Sequence, residues 1–266
     1  MKKLLILAAV LVLALSVSAC GKDDKKNETP TASPTATTAP TETPTPEATA
    51  TPTEVPAPAV MNHAQFDAAE FDTPVTVQAF VVDTQSWWDN KITVYAADKD
   101  GAYFIYEMAC SQEDAKLLVP GKAILVSGFK SQWSGEIEIV EATFSFADTS
   151  ETFVPEAFDA TSLLGTDDLI KHQNERVVFK GLKIEAQEDG AAFAYKNAEE
   201  KTDDLYFKAS ANGTTVSFCV EFYLRGKDTD VYKAVEGLKV GDTVDVECYL
   251  YWYNGANPHV IGVTVK

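Results

Sequence analysis

The chain has 266 residues, 45% of them hydrophobic, and 22 Lys+Arg against 40 Asp+Glu, for a formal net charge of −18. Over residues 61–266 the balance is 17 Lys+Arg against 34 Asp+Glu, with both halves of that span acidic. This weighs against gripping a polyanion through released counterions and against adhesion of this part to an anionic membrane surface.

Residues 1–19 carry Lys2 and Lys3, a wholly apolar run from Leu4 to Leu15, and then Val17-Ser18-Ala19. That order reads as a secretory signal, and the run is too short to span a bilayer comfortably. Because Cys20 follows directly, the segment resembles a bacterial lipoprotein signal. The resemblance implies that Cys20 becomes the diacylated, palmitate-bearing first residue and anchors the chain at the extracytoplasmic face of the cell membrane, as on a Gram-positive surface. A secreted protein with a stray cysteine is the plainer alternative. Residues 20–60 form the next segment: eight of the twelve prolines and eleven threonines fall between Gly21 and Val60, with almost no large apolar side chain. Such a composition cannot offset its ordering entropy and favours an extended stalk.

Beyond the stalk the chain repeats itself with an offset of about 120 residues. The stretch from Leu118 lies over that from Leu238, with Gly121 on Gly241, Ile124 on Val244, Val126 on Val246, Phe129 on Tyr249, Trp133 on Tyr253 and Gly135 on Gly255. Two domains are expected, over 61–150 and 151–266, each of ordinary size. In the first, Val75/Val77/Ala79/Val81, Ile92/Val94/Ala96, Phe104/Tyr106/Met108, Ile124/Val126 and Ile137/Ile139 alternate as half-buried strands should. Asp98 to Gly101 supplies a hairpin turn, and Ser111 with Asp114 caps a short helix running to about Leu118. In the second, a helix over Thr161–Lys171 precedes strands at Glu175–Glu185, Leu205–Ala209 and Thr214–Tyr223. A helix at Asp228–Gly237 and strands at Thr243–Tyr251 and Pro258–Val265 follow, and residues 186–203 form an acidic insertion. The fold class predicted is all-β with minor α: two tandem five-stranded Greek-key barrels of OB type, each with a helix between its third and fourth strands.

Pro120, Gly121, Lys122, Gly128, Phe129, Ile137 and Ile139 resemble the pattern of OB-like domains of bacterial lipoproteins grouped as tRNA-anticodon-binding-like. The stretch from Gly241 to Tyr249 is similar to a divergent relative. The resemblance covers residues 64–266 and implies architecture rather than activity.

OB barrels bind on the outer face of strands 2 and 3, between the loops joining strands 1 to 2 and 4 to 5. That scheme places Trp87 and Trp88 in the first loop, Trp133 in the other, and Tyr95 and Tyr103 facing outward between them. Lys91 and Lys130 are the only cations nearby in sequence, among Asp83, Asp89 and Glu136, so a neutral partner fits better than nucleic acid. The matching cluster of the second copy holds Tyr249, Tyr251, Trp252, Tyr253, Asn254, Asn257 and His259. Alternation sends Trp252 inward and Tyr251 and Tyr253 outward. Asn254, Asn257 and His259 offer hydrogen bonds to a saccharide or peptide, although Asn254-Gly255 also reads as a turn. Large aromatics at barrel ends equally serve to dock one domain on another.

Cys110, Cys219 and Cys248 are odd in number, and alternation turns Cys248 toward Val244 and Val246 but Cys219 toward Ser217 and Glu221, so three free thiols are expected. No CxxC or HxxxH spacing points to a metal, no cofactor is implied, and no nucleophile–base set or paired acids point to catalysis. The function expected is a membrane-anchored, noncatalytic binding or adaptor module for a neutral saccharide, a peptide or an envelope partner protein. Extracellular single-stranded nucleic-acid capture and a purely structural envelope-assembly role are the alternatives.

Overall fold

The computed structural model describes residues 59–199 and 203–266, so the signal, Cys20 and nearly all of the stalk lie outside the described residues. No helix among the described residues is long and apolar enough to cross a membrane.

The apolar alternation of Val75, Val77, Ala79 and Val81 produces β1 (Pro74–Thr84), whose inward side chains are buried. β2 (Lys91–Ala97) and β3 (Ala102–Ala109) join through the Asp98–Gly101 turn, where Asp98 Oδ1 accepts the N–H of Asp100 at 2.8 Å and of Gly101 at 2.9 Å. A short helix (Gln112–Ala115) is capped by Ser111, as its sequence predicts, and stops before Leu118. β4 (Ala123–Trp133) and β5 (Glu136–Phe146) complete the first barrel, closed in the order β1-β2-β3-β5-β4. Its one parallel pair, β3 with β5, sets Phe104 opposite Glu138 and Ile105 opposite Ile139. Val77, Val94, Ile105, Met108, Ile124, Val126 and Ile139 fill its core. Each such side chain contributes on the order of 1.5–3 kcal/mol when withdrawn from water.

A helix not expected from the sequence, His63–Ala68, precedes this barrel. Asn62 and Gln65 satisfy each other's backbone N–H, and Phe66 meets Tyr103 edge-on at 5.1 Å. Lys130, 3% exposed, sends Nζ to the carbonyls of Phe66, Asp67 and Ala69 at 2.8–3.0 Å. It thereby supplies donors to a helix end that lacks them, and it is withdrawn from the aromatic loops beside which its sequence position placed it.

The second barrel repeats the plan. After β6 (Phe158–Asp159) come β7 (Arg176–Glu185), β8 (Phe193–Tyr195), β9 (Leu205–Ala211), β10 (Thr214–Val220), a helix at Asp230–Glu236, β11 (Thr243–Tyr249) and β12 (His259–Val265). The sheet runs β7-β11-β12-β10-β9, and β9 pairs back onto β7 to close five strands, with β6 and β8 as additions. Strands β7, β9, β10, β11 and β12 thus occupy the places of β1 to β5. Two details depart from the sequence reading. The helix expected over Thr161–Lys171 is two 3-10 turns, Thr161–Leu163 and Leu169–His172, separated where Gly165 takes φ +85°. The acidic insertion contributes β8, which lengthens the sheet beside β9.

Gly121 and Gly241, equivalent in the repeat, stand at φ +85° and +90° just before β4 and β11. That region is open to glycine and costs an L side chain roughly 1–2 kcal/mol. A Cβ at Gly241 would meet nothing within 4 Å, so its cost is purely conformational. Gly241→Val is expected to lower stability by about 1–2 kcal/mol, read from urea denaturation, with no change in the far-ultraviolet circular dichroism of the folded state.

Candidate functional site

Strand β2 of the first barrel carries Tyr95 on its outer face, where it meets the second barrel rather than water. Tyr95 and Tyr249 stack with ring centroids 4.4 Å apart. Tyr95 Oη lies 2.6 Å from His259 Nδ1 and also accepts from Gln85 Nε2 at 3.4 Å. His259 lies flat on Tyr251 at 4.1 Å, and Tyr251 meets Phe104 edge-on at 5.2 Å. Burial pushes the His259 imidazole down to about 3 and raises the Tyr95 hydroxyl, so both groups are neutral and share one hydrogen bond across that contact. Val82, Ala97, Ala102 and Leu224 complete this third core between the barrels.

Polar contacts flank the stack. Asp83 is paired with Arg225 and accepts from Tyr249 Oη at 3.1 Å. Glu136, fully buried, accepts the Trp252 N–H at 2.8 Å and Gln173 Nε2 at 3.2 Å through Oε2, while its Oε1 has no partner among the described residues. Burial pushes this carboxyl up to about 8, against the pull of those hydrogen bonds and with help from nearby Glu138. Asn254 N–H donates to Ser134 O at 2.7 Å, which ties the hairpin tips of the two barrels together.

Beside this docking surface the outer faces of β2–β3 and β9–β10 border one groove of about 660 Å³. Phe104, Tyr106 and Glu107 line it from the first barrel, and Tyr206, Cys219, Glu221 and Tyr223 from the second, together with Tyr251, Tyr253, Asn257 and His259. The groove extends into a depression of about 220 Å³ containing Trp88, with which it shares Gln85, Thr93, Glu107 and Tyr223. It also extends into one of about 360 Å³ containing Trp133, with which it shares Tyr106 and Tyr251. Trp88, Trp133, Tyr223 and Tyr253 are each more than half exposed along this path.

The charged groups of the groove are largely neutralised internally. Glu107 pairs with Lys91 at 2.7 Å. Asp204 binds Lys196 at 3.1 Å, accepts from Tyr206 Oη at 3.2 Å and from the Phe222 N–H at 3.0 Å. Burial, with Asp204 adding, pushes Glu221 up to about 7, although it accepts the Leu224 N–H at 2.7 Å. Burial likewise raises the Cys219 thiol well above its ordinary range, which removes its nucleophilic form. Cys110, Cys219 and Cys248 are all free. Among the described residues no group of three or more His, Cys, Asp or Glu is placed to hold a metal.

Of the residues singled out from the sequence, Trp88, Trp133, Tyr251, Tyr253, Asn257 and His259 line the groove and its extensions. Trp87 instead packs on the first core and donates Nε1–H to Cys110 O at 2.9 Å. Tyr95 faces outward as expected but is sealed by Tyr249. Tyr103 faces inward, not outward, because β3 changes phase: Glu107 takes φ 45°, the pairing with β2 shifts register, and Met108 and Ile105 both enter the core. Tyr103, Ile105 and Met108 are therefore core residues, while Phe104 and Tyr106 turn outward, which corrects the inward Phe104/Tyr106/Met108 series. Asn254 takes φ 54° and serves as a turn. Asn257 Nδ2 reaches Ser217 O at 3.4 Å. Tyr106, Tyr206, Glu221 and Tyr223 were not foreseen as site residues. Extending the strand 2–3 scheme to the second copy points to Tyr206 and Glu221.

No family model matches the chain, and no curated protein matches it. Among solved structures it is similar to a HIN domain in complex with 20-base-pair double-stranded DNA, at 19% identity over 74% of this chain and 96% of that one, with a TM-score of 0.30. It is also similar to a murine DNA-binding protein bound to double-stranded DNA, at 12% identity over 72% and 94%, TM-score 0.33. A third is a Replication Protein A heterotrimer bound to single-stranded DNA, at 12% identity over 73% and 49%, TM-score 0.30. At these values the likenesses add nothing to the strand pairings above.

The buried Glu136 links docking to pH. Its folded pKa of about 8 lies above that of an unfolded carboxyl, so the folded chain keeps a proton that the unfolded chain has lost. The associated stability is present below about pH 4.5 and is lost as pH rises toward 8. Between pH 5 and 8 the wild type is expected to lose about 1–3 kcal/mol relative to Glu136→Gln in paired urea titrations. Glu221, also raised, leaves a smaller slope of the same sign in the variant. His259, depressed, acts in the opposite sense below about pH 6.5, so the difference between the two proteins isolates Glu136.

Proposed function

We propose that the protein is a noncatalytic binding module, anchored to the outer face of a membrane through a lipid on Cys20, whose inter-barrel groove holds an extended ligand that is uncharged over most of its length. The observation that carries this reading is the row of exposed rings, Trp88, Tyr223, Tyr253 and Trp133, along one groove bordered by the strand 2–3 faces of both barrels. OB barrels characteristically bind ligands at that face. Flat rings spaced along a groove suit a chain of repeating units, and an oligosaccharide fits the lining best. Its hydroxyls both donate and accept, matching Asn257 and His259 as well as the carboxylates of Glu107, Asp204 and Glu221. Its apolar ring faces stack on aromatic side chains.

Single-stranded nucleic acid is the second reading, and one feature favours it: stacked bases use exposed aromatics on this same face. The groove opposes it, because Lys91 and Lys196 are both engaged by carboxylates and acids line both barrels. An envelope partner protein would need to cover the same rings.

Titrating the full chain with uncharged linear hexasaccharides of glucose and of N-acetylglucosamine, and separately with an oligothymidylate, distinguishes the readings. Saccharide binding that is unchanged between 50 and 300 mM salt, roughly tenfold weaker in Tyr223→Ala and Trp88→Ala, is the expected outcome. Binding of only the oligothymidylate, with affinity falling steeply with salt, would replace the saccharide reading with the second. For the anchor, Cys20→Ala is expected to abolish incorporation of labelled palmitate and to release the chain from the membrane fraction; retained label would place the lipid elsewhere.

A further inference from the structure

Glu138 is the third residue of β5, opposite Phe104 on β3 and Ser131 on β4. A strand paired on both sides holds its side chain in a fixed place. The residue is 7% exposed, yet among the described residues no hydrogen bond or ion pair reaches its carboxylate. It opens into the depression at the Trp133 end of the groove, whose lining is Tyr106, Trp133, Tyr251 and Glu138. Tyr106 and Trp133 are 43% and 61% exposed, so the depression is open to a ligand.

A carboxylate withdrawn from water without a partner is unfavourable unless it takes a proton or a cation. Burial raises the pKa of Glu138 accordingly. Lys91, which lines a neighbouring depression with Glu138, is held by Glu107 at 2.7 Å, and Lys130 by the carbonyls of Phe66, Asp67 and Ala69. The rings beside Glu138 add an independent preference, because the faces of Trp and Tyr attract a cation electrostatically. Three rings and one carboxylate describe an aromatic box for an organic cation. A metal ion would require more oxygen ligands than this single carboxylate offers, and a neutral hydroxyl would leave the buried charge uncompensated.

We propose that this box binds a substituted ammonium group carried by the ligand of the groove, with Glu138 as counter-ion and Trp133, Tyr106 and Tyr251 as walls. The inference rests on the groove being the ligand site and deepens that reading by giving the ligand a cationic substituent at one end. Two sources share this chemistry: a trimethylammonium group, as in choline, and a primary amine, as in an amino sugar.

Nuclear magnetic resonance titration of the full chain at neutral pH with choline, its neutral tert-butyl analogue, glucosamine and glucose tests the assignment. At least one ammonium probe is expected to bind about tenfold more tightly than its neutral counterpart, with the largest shifts at Trp133 and Tyr251. Glu138→Gln, which keeps shape and folding as judged by an unchanged urea midpoint, is expected to erase that preference. Tighter choline than glucosamine binding identifies the quaternary source, and the reverse the primary amine. Equal binding of charged and neutral probes, no binding of either ammonium, or a preference that survives Glu138→Gln overturns the proposal. The groove reading fails on different data, when hexasaccharides do not bind or when Tyr223→Ala leaves their affinity unchanged.

Discussion

The stack of Tyr95, Tyr249, His259 and Tyr251 is the contact on which the remaining features depend. Each barrel closes on itself and has its own apolar filling, so neither needs the other to hide its core. What the stack fixes is relative position. Aromatic pairs at these separations contribute about 0.5–1.5 kcal/mol each beyond the area they bury. The hydrogen bond between Tyr95 Oη and His259 Nδ1 adds direction, because it is met in only one orientation of the barrels. Asp83 with Arg225 at one flank and Glu136 with the Trp252 N–H at the other prevent rotation about the stack. The groove inherits its width from this docking, since its two walls belong to different barrels.

Rigid docking exacts a cost in buried acids. Glu136 is enclosed with one oxygen unpartnered, and Glu221 and Glu138 are also pushed up by burial. An enclosed carboxylate that destabilised the fold without compensation would be replaced at little loss by glutamine. Glu136 is compensated through Oε2, which joins the second barrel's backbone to the first, and protonation relieves the rest. Glu221 accepts the Leu224 N–H, whereas Glu138 has no such compensation within the described residues and lies between aromatic walls that face solvent. The same physical pressure therefore has different outlets: an interface contact for Glu136 and a ligand for Glu138.

The barrels themselves were legible because the signals that specify them are local. Period-two alternation marks Val75 to Val81, the Asp98–Gly101 turn marks a hairpin, and the repeat aligns Gly121 with Gly241, which both stand at positive φ. The phase of β3 was not legible, because alternation assumes an unbroken strand and the left-handed residue Glu107 interrupts it. A bulge breaks the alternation between the residues on its two sides, so counting back from Met108 places Tyr103 and Phe104 on the wrong faces. The helix expected over Thr161–Lys171 failed for a similar reason: its apolar spacing is helical, but Gly165 breaks it into turns too short to continue. Which outward aromatics are exposed is beyond any local pattern. Tyr95 and Tyr106 both point away from the first core, and only the arrival of Tyr249 covers one and leaves the other open.

The repeat also explains why one groove arises rather than two. Trp133 and Tyr253 are equivalent positions at the tips of equivalent hairpins, 61% and 53% exposed, and the Asn254 N–H to Ser134 O bond brings those tips together. Phe129 and Tyr249 are also equivalent, but Phe129 is 39% exposed and Tyr249 is 3% exposed. The copies have thus kept the tip aromatic and divided the adjacent position between surface and docking. A single barrel of this kind would present Tyr95 and Phe104 to water as an apolar patch, whereas a symmetric pair would bury both strand 2–3 faces. The observed asymmetry seals Tyr95 with Tyr249 and leaves Tyr106, Tyr206 and Tyr223 lining an open channel, so the divergence of the two copies is itself what creates the site.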